Sequence, residues 1–269
     1  MLPRLSEVIN VLDEIAPFVL AEKWDNSGLQ VGDIDKVIKK ILIALDPAVG
    51  AVLHASATGA DLILNHHPLI FKPVTCIDYN VYPGDVIHEA IKNDIAIVAI
   101  HTNLDSARMG INYILAEKFG LVDVSALEQK EYNGEDGYGL GAIGELSEPL
   151  SMTSVSKKVK DVLGLEALKV ICSNEKDIKR VAVVGGSGGS MVNAAAEKNA
   201  DLLITGDIGH HDALLAKSCN INVIDAGHYS TERVALTGFY KKLDEIFSRY
   251  NMDIMLEMYE EETDPISII

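Results

Sequence analysis

A short apolar segment that runs directly into two adjacent histidines is the feature that most constrains this chain. The segment Asp61–Phe71 reads Asp-Leu-Ile-Leu-Asn-His-His-Pro-Leu-Ile-Phe. A continuous apolar run of this length predicts a buried strand, and Pro68 predicts its end. Because α/β proteins build their sites at the carboxyl ends of parallel strands, His66 and His67 are candidate functional residues rather than two solvated loop histidines.

Strand-like and helical patterns alternate on both sides of the chain's midpoint. In the first half they occupy 41–45, 48–58, 61–65, 84–93 and 95–100. In the second half they occupy 181–186, 191–198, 201–205 and 221–226. This alternation predicts parallel sheets covered by helices, and therefore an α/β fold.

The two halves also match each other residue by residue. Val181 lies as many residues after Ile41 as Asp201 lies after Asp61. The match predicts two similar α/β lobes that arose by internal duplication. We expect a first lobe with its N-terminal helix at 1–120, a connecting segment at 121–180 and a second lobe at 181–269, together forming one compact unit.

A second match concerns side chains that bind metal ions. Both halves contain His-x-x-x-Asp/Glu after a strand, and the candidate ligands are His66, His67, Asp105, His228 and Glu232, with His101 as a sixth. Imidazole and carboxylate suit divalent Zn, Fe, Mn, Co or Ni, and this set leaves two such ions with net positive charge. Two ions of this kind lower the pKa of bound water and hold an anionic group.

Each of these residues also has a structural interpretation. His101 is either a ligand or a neighbour that supports the ligands. Asp105 could cap the helix that follows it, and Glu232 could be a surface residue of a helix. If a helix starts at either histidine of the repeated motif, the spacing of four residues places the histidine and the acid on one face.

Further residues are expected around the metals. The turn Gly185–Ser190 either contacts a substrate phosphate, with Ser187 in the pocket, or permits close packing of a helix against a strand. It matches neither the dinucleotide-binding motif nor the P-loop. The other candidate pocket residues are Asp207 and Tyr229, together with His210 and His211, which are displaced from the alignment with His66.

Composition excludes several classes of protein. The net charge of −17 argues against a nucleic-acid binder, which needs a basic face. The cysteines, Cys76, Cys172 and Cys219, form no CxxC pair, so a metal site must be built from histidines and carboxylates. The sequence contains no apolar run of the roughly 18 residues that span a membrane and no signal-peptide core. We therefore expect a cytoplasmic protein without membrane partners.

The sequence resembles the type 2 GTP cyclohydrolase I homologue family, also described as interacting-factor-three-like. The matching segments are Trp24–Gly32, Asn65–Phe71, His101–Asp105, Val184–Gly188, Thr205–Asp207 and Gly227–Glu232. The resemblance implies a dinuclear metal site in the cleft between two lobes, held by His66, His67, Asp105, His228 and Glu232. It also implies a toroidal homohexamer whose sites face an inner cavity.

Two functions are compatible with these features. The leading hypothesis is a metal-dependent hydrolase, similar to GTP cyclohydrolase 1 type 2, whose metal-activated water attacks a nucleotide or a related anionic phosphate or heterocycle. No side chain outside the ligand set is assigned a catalytic role. That absence favours the alternative, a non-catalytic metal-binding or protein-interaction assembly in metal trafficking, repair or transcriptional regulation.

Overall fold

Two mixed β-sheets and the helices that connect their strands make up a mixed α/β fold. The structure is a computed structural model and describes residues 2–267. The strands are Gly28–Val31 (β1), Lys40–Ala44 (β2), Leu62–Asn65 (β3), Ala96–Ala99 (β4), Val122–Gln129 (β5), Gly139–Leu150 (β6), Lys169–Ile171 (β7), Ile178–Ser187 (β8), Leu202–Gly206 (β9), Asn222–Asp225 (β10) and Met255–Met258 (β11).

The first helix precedes β1, and the others connect later strands. The helices are Leu5–Ile15 (α1), Val49–Thr58 (α2), Gly84–Lys92 (α3), Thr102–Asp105 (α4), Ile111–Lys118 (α5), Met152–Leu163 (α6), Val192–Glu197 (α7), His210–Ser218 (α8) and His228–Arg249 (α9). Short 3₁₀ turns occupy Phe18–Leu20 and Gly189–Met191. None of the helices in residues 2–267 has both the length and the apolar character that crossing a membrane requires.

The first compact unit consists of Met1–Leu104 together with Leu236–Ile269. Its sheet, as far as residues 2–267 show, has the strand order β1-β4-β3-β2-β11. Strands β2, β3 and β4 are parallel, and every residue of β3 and β4 is buried, as expected for a parallel sheet with both faces covered. Asn65 pairs with Ala99, so the residues that follow these two strands leave the sheet side by side.

The second compact unit is Asp105–Ala235. Its sheet has the order β5-β6-β8-β9-β10-β7 within the part of the chain that the structure describes. Strands β8, β9 and β10 are parallel, whereas β5, β6 and β7 join the sheet in antiparallel pairs. An apolar core that includes Val192, Leu203 and Val223 lies on one side of these strands.

The two sheets have the same order around their parallel strands. In the first sheet, β1 precedes the parallel strands in the chain and pairs antiparallel with the last of them, β4. In the second sheet, β7 precedes the parallel strands and pairs antiparallel with the last of them, β10. Asp61 Oδ2 accepts hydrogen bonds from the backbone N–H groups of residues 39–40, at 2.7 and 3.1 Å. Asp201 Oδ2 accepts from those of residues 179–180, at 2.9 and 2.8 Å. The same side chain therefore has the same role at the same register of both sheets.

The boundaries of the two compact units fall at other residues than those predicted from the sequence. The segment 121–180, predicted to be a connection, contributes β5, β6 and β7 to the second sheet, because their backbones pair with β8 and β10. Residues 236–267, predicted to lie in the second lobe, belong to the first unit, where β11 pairs with β2. Met1 and residues 268–269, which the predicted lobes included, lie outside the described residues.

Glu257 on β11 supports this return of the chain to the first sheet. Its carboxylate lies 2.7 Å from Lys40 Nζ and 2.9 Å from His54 Nε2. Hydrogen bonds from Lys40 and then from His54 lower the pKa of Glu257 from the usual 4.5 to about 2, against the opposing effect of burial. Because the pKa is depressed in the folded state, the stabilisation is present above about pH 4.5 and is lost as the pH falls towards 2.

We expect Glu257→Gln to lower the free energy of unfolding at pH 7 by about 1–2 kcal/mol, a value discounted because the side chain is 30% exposed. The difference from the wild type should shrink between pH 4.5 and pH 3 in urea-unfolding titrations. Glu245→Gln, at a side chain that is 70% exposed, is the control and should cost less than about 0.5 kcal/mol. A difference that stays constant down to pH 3 would contradict the role assigned to the Glu257 charge.

Candidate metal centre

The carboxyl ends of β3 and β4 bring three histidines together in the first unit. His66 and His67 follow β3, and His101 follows β4, at the point where these strands are hydrogen-bonded neighbours. The ring centroids lie 5.1 Å apart for His66 and His67, 5.2 Å for His66 and His101, and 5.5 Å for His67 and His101. One nitrogen from each ring lies within 4.8 Å of the others, so the group could hold a metal ion.

The orientation of the first two rings is set through their Nδ1 atoms. His66 Nδ1 lies 2.9 Å from the backbone oxygen of Ile100, and His67 Nδ1 lies 2.8 Å from Asp46 Oδ1. Both partners are acceptors, so Nδ1 carries the proton and donates it, and in the neutral ring Nε2 keeps the lone pair. Metal-binding histidines in proteins are commonly oriented in this way by a carbonyl or carboxylate.

His101 is oriented by Asp25, whose side chain is fully buried. Asp25 Oδ1 accepts from His101 Nδ1 at 2.8 Å and from the Asn26 backbone at 2.7 Å. Asp25 Oδ2 accepts from Ser27 Oγ at 2.8 Å and from the backbone N–H and hydroxyl of Thr102 at 3.1 and 2.5 Å. Burial raises the pKa of Asp25, but the hydrogen bonds from His101, Thr102 and Ser27 outweigh it, so the pKa lies well below its usual range.

In the second unit, a histidine and a glutamate come together on the first turn of α9. The helix begins at His228, so Glu232 lies one turn further along, and His228 Nε2 is 3.0 Å from Glu232 Oε2. Two ligand atoms that each lie about 2.1 Å from one zinc-like ion are separated by about 3.0–3.4 Å. Asp207 Oδ2 accepts from His228 Nδ1 at 2.7 Å, the same arrangement as in the first unit. The pair therefore fits a divalent ion.

The glycine-rich turn after β8 packs against this pair. A Cβ added to Gly186 would lie 2.1 Å from Glu232 Oε1 and 3.2 Å from His228 Nε2. The backbone N–H of Gly186 donates to Thr231 Oγ1 at 3.0 Å, and Thr231 is completely buried. Ser187 is exposed, and only a 3₁₀ turn and the short helix α7 follow. These contacts show close packing of the turn against α9, and a phosphate contact with Ser187 in the pocket stays a prediction.

A glycine also explains why the second unit has no counterpart of His66. The matching position is Gly206, where a Cβ would lie 2.5 Å from the backbone nitrogen of His228. The start of α9 occupies the space that a side chain would need. The next residue, Asp207, adopts a left-handed conformation with a φ of 55°. Its carboxylate reaches His228 Nδ1 from that position.

Asp105 is the last residue of α4. Its backbone oxygen accepts from Asn112 Nδ2 at 2.9 Å, and Asn112 Oδ1 accepts from the backbone N–H of Gly185 at 2.8 Å. Asn112 therefore connects Asp105 to the glycine-rich turn within the second unit. The helix-cap interpretation of Asp105 does not describe this arrangement, because α5 begins only at Ile111 and its N-cap is Gly110.

The remaining predicted pocket residues lie at helix starts in the second unit. Tyr229 is the second residue of α9 and is partly buried. His210 and His211 open α8, are exposed, and have ring centroids 5.7 Å apart. Among residues 2–267, the donor groups that could hold an ion include neither of them, and their place in the pocket stays a prediction.

Sequence reasoning did not assign a role to four side chains that support the candidate ligands. They are Asp25, Asp46, Asn112 and Thr231. Asp25 and Asp46 had a weak signal, since each is an acid in a turn beside a strand. Asn112 lies within a helix, where asparagine is unfavourable, and this unfavourable position could have indicated a role for its side chain. Thr231 had none, because its role depends on Gly186, which lies far away in the chain.

Comparison with known proteins identifies the family. The family described as Duf34/NIF3 (NGG1p interacting factor 3) matches residues 3–265, so the chain belongs to this family. A protein of Clostridium perfringens named GTP cyclohydrolase 1 type 2 homolog is 35% identical over 266 residues, which cover 99% of this chain and 100% of that protein. The GTP cyclohydrolase 1 type 2 of Helicobacter pylori is 33% identical and is aligned over 98% of this chain and 99% of its own length.

Solved structures agree with the fold. The crystal structure of a Bacillus cereus protein related to NIF3 superposes with a TM-score of 0.92 over 100% of both chains, at 26% sequence identity. The mixed α/β fold with two sheets is therefore that of the NIF3 proteins.

Proposed function

We propose that the protein is a metal-dependent hydrolase of the GTP cyclohydrolase 1 type 2 kind, acting on a nucleotide or a related anionic phosphate or heterocycle. The observation that carries the proposal is the shared orientation of the histidines. Asp46, Asp25 and Asp207 bind the Nδ1 atoms of His67, His101 and His228, and Nε2 of each neutral ring can then act as a metal ligand. Carboxylates in this role make imidazole a stronger ligand and fix its direction.

The ligands are proposed to be those predicted from the sequence: His66, His67, Asp105, His228 and Glu232, with His101 as a sixth donor or a support. Together they are proposed to hold two divalent ions of Zn, Fe, Mn, Co or Ni. Ions of this kind lower the pKa of water and polarise the oxygens of phosphates and carbonyls. The protein's own part is to hold the ring nitrogens and carboxylates in place through Asp46, Asp25 and Asp207.

An aromatic pair beside the histidines supports a substrate with a flat ring. Trp24 is 58% exposed and Phe71 is 48% exposed, and their ring centroids lie 5.8 Å apart. Trp24 also packs edge-on against His101, with 6.0 Å between centroids. Exposed aromatic faces stack on nucleobases with about 1–3 kcal/mol per base. The name of the Helicobacter pylori relative, GTP cyclohydrolase 1 type 2, points to the same class of substrate.

Three further features remain proposals. The matching order of the parallel strands and of the antiparallel strand beside them, together with the equal roles of Asp61 and Asp201, supports an origin by internal duplication. The homohexamer and the cytoplasmic location are predictions that follow from the resemblance and from composition.

The test combines metal analysis with turnover. Purified protein loaded with Mn, Fe, Co or Zn should retain metal after desalting and should hydrolyse at least one member of a panel of nucleotides followed by chromatography. His67→Ala should lose metal affinity by at least about a hundredfold and should have no measurable turnover, because it removes a donor as well as its contact with Asp46.

His88→Ala is the matched control, since this histidine stacks on Tyr79 with 3.8 Å between ring centroids and belongs to no donor group in residues 2–267. It should retain metal and activity. A loaded wild type that hydrolyses neither nucleotides nor related anionic phosphates and heterocycles would overturn the proposed reaction, and a wild type that binds no divalent ion would overturn the metal site itself.

A further inference from the structure

The C-terminal tail of the chain returns to the strand that leads to Asp46. Strand β11 pairs in parallel register with β2, with Met258 opposite Ile43. The next residue continues the contact, because the backbone N–H of Tyr259 donates to the oxygen of Ile43 at 2.8 Å. Tyr259 is buried, and its ring packs edge-on against His54 with 5.3 Å between centroids. The tail is thus fixed up to the end of β2.

Beyond this point the tail delivers a carboxylate to the carboxyl end of β2. Glu262 Oε1 accepts from the backbone N–H groups of Leu45 and Asp46, both at 2.8 Å, and Glu262 Oε2 accepts from Leu45 N at 3.0 Å. Successive backbone N–H groups that point to one place form a natural seat for an anion. Here the anion is supplied by the chain itself.

The residue held in this way is the one that orients His67. Asp46 Oδ1 accepts from His67 Nδ1 at 2.8 Å, but the Asp46 side chain is 52% exposed. Packing therefore restrains Asp46 weakly, and the direction of its side chain depends on the position of its backbone. Glu262 accepts hydrogen bonds from that backbone and so helps to hold it in place.

We propose that Glu262 is a positioning residue for the metal centre, acting from the C-terminal tail through Asp46 on His67. The inference rests on the proposed metal site, because the orientation of His67 matters for function only if His67 binds a metal ion. It predicts that the tail, although far in sequence from the candidate ligands of the first unit, sets the metal affinity of that unit.

The experiment measures Co²⁺ binding by metal-free protein, from both the dissociation constant and the visible absorption spectrum of the bound ion. Glu262→Ala should weaken Co²⁺ binding about tenfold and alter the spectrum. This is the low end of the effects seen when residues that orient a metal ligand are mutated, because Glu262 acts on His67 only through Asp46. Glu262→Gln keeps an oxygen that can accept from Leu45 and Asp46 and should stay within about threefold of the wild type. Glu261→Ala, at an exposed neighbouring side chain, should leave both readouts unchanged.

Coupling to Asp46 separates positioning from a general loss of stability. Asp46→Ala alone should weaken Co²⁺ binding by about 10–100-fold. Glu262→Ala added to Asp46→Ala should change the affinity by less than about twofold, because both substitutions interrupt the same contact to His67. Fully additive effects on the Co²⁺ affinity would mean that Glu262 acts independently of Asp46, and would overturn the proposal.

The outcomes are distinguishable from a failure of the proposed function. If the wild type binds Co²⁺ and Glu262→Ala binds it with the same affinity and spectrum, the positioning role is wrong and the metal site stands. If the wild type binds no Co²⁺, both the site and this role are wrong. Circular dichroism checks whether the Glu262→Ala protein folds. If it does not, the Co²⁺ affinities of Glu262→Gln and of Glu262→Asp, which has a shorter side chain, decide the question on the same scale.

Discussion

Gly186→Ala is expected to abolish metal binding by His228 and Glu232 while the second sheet stays folded. The new Cβ would lie 2.1 Å from Glu232 Oε1, far inside contact distance, and 3.2 Å from His228 Nε2. Glu232 would have to leave its position, because the hydrogen bond from the backbone N–H of Gly186 to Thr231 prevents residue 186 from moving away. We expect the affinity for Co²⁺ or Zn²⁺ to fall by at least about a hundredfold in titrations of metal-free protein, since a ligand itself is displaced.

Gly164→Ala separates this clash from the cost of the backbone conformation. Gly164 has a φ of +70°, close to the +65° of Gly186, but a Cβ there meets nothing within 4 Å. Both variants carry about 1–2 kcal/mol of left-handed strain, so both should unfold at a lower temperature. Gly164→Ala alone should bind metal like the wild type. Equal metal affinity of the two variants would contradict the proposed role of Glu232.

Asp25→Ala is expected to have the second large effect, on stability and metal affinity together. The buried carboxylate accepts from His101, Thr102, Ser27 and Asn26. Removing it leaves these donors, most of which lie in partly buried hydrogen bonds, without their acceptor, which costs about 3–5 kcal/mol, as for removing one partner of a buried charged pair. His101 also loses the group that sets its orientation. Thermal unfolding and Co²⁺ titration of the same sample measure both consequences.

Asp33→Ala provides the comparison in the same unit. Asp33 is exposed, and its carboxylate accepts from the backbone N–H of Asp35 at 3.0 Å. Its loss should change the free energy of unfolding by less than about 1 kcal/mol and should not alter metal binding. If Asp25→Ala unfolds at the wild-type temperature, the network around His101 does not contribute to the fold as described.

Much of the parallel core could be predicted because its signals are local. Helical patterns at 48–58 and 84–93 correspond to Val49–Thr58 and Gly84–Lys92, and the apolar runs before His66 and His101 are β3 and β4. Apolar periodicity and glycine at helix ends depend only on nearby residues. Gly59, with a φ of 72°, ends α2 as its position in the sequence indicates.

The edges of the sheets and the division into units were not predictable in the same way. Strands β5, β6, β7 and β11 are placed by backbone pairing with strands far away in the chain. A pattern of apolar residues indicates that such a strand exists, but not which neighbour it pairs with. The connecting role expected for 121–180 and the place expected for the C-terminal residues differ from the structure for this reason.

By itself, the sequence determined that His66 and His67 stand at the end of a buried strand, and that His228 and Glu232 share one face if a helix starts at His228. Both follow from local geometry, the first from an apolar run and the second from helical spacing. Only the tertiary structure decided which acid orients each histidine. Asp25 reaches His101 across 76 residues of chain, and Glu262 reaches the backbone N–H of Asp46 across 216. Such contacts depend on which strands lie side by side, and no local pattern contains that information.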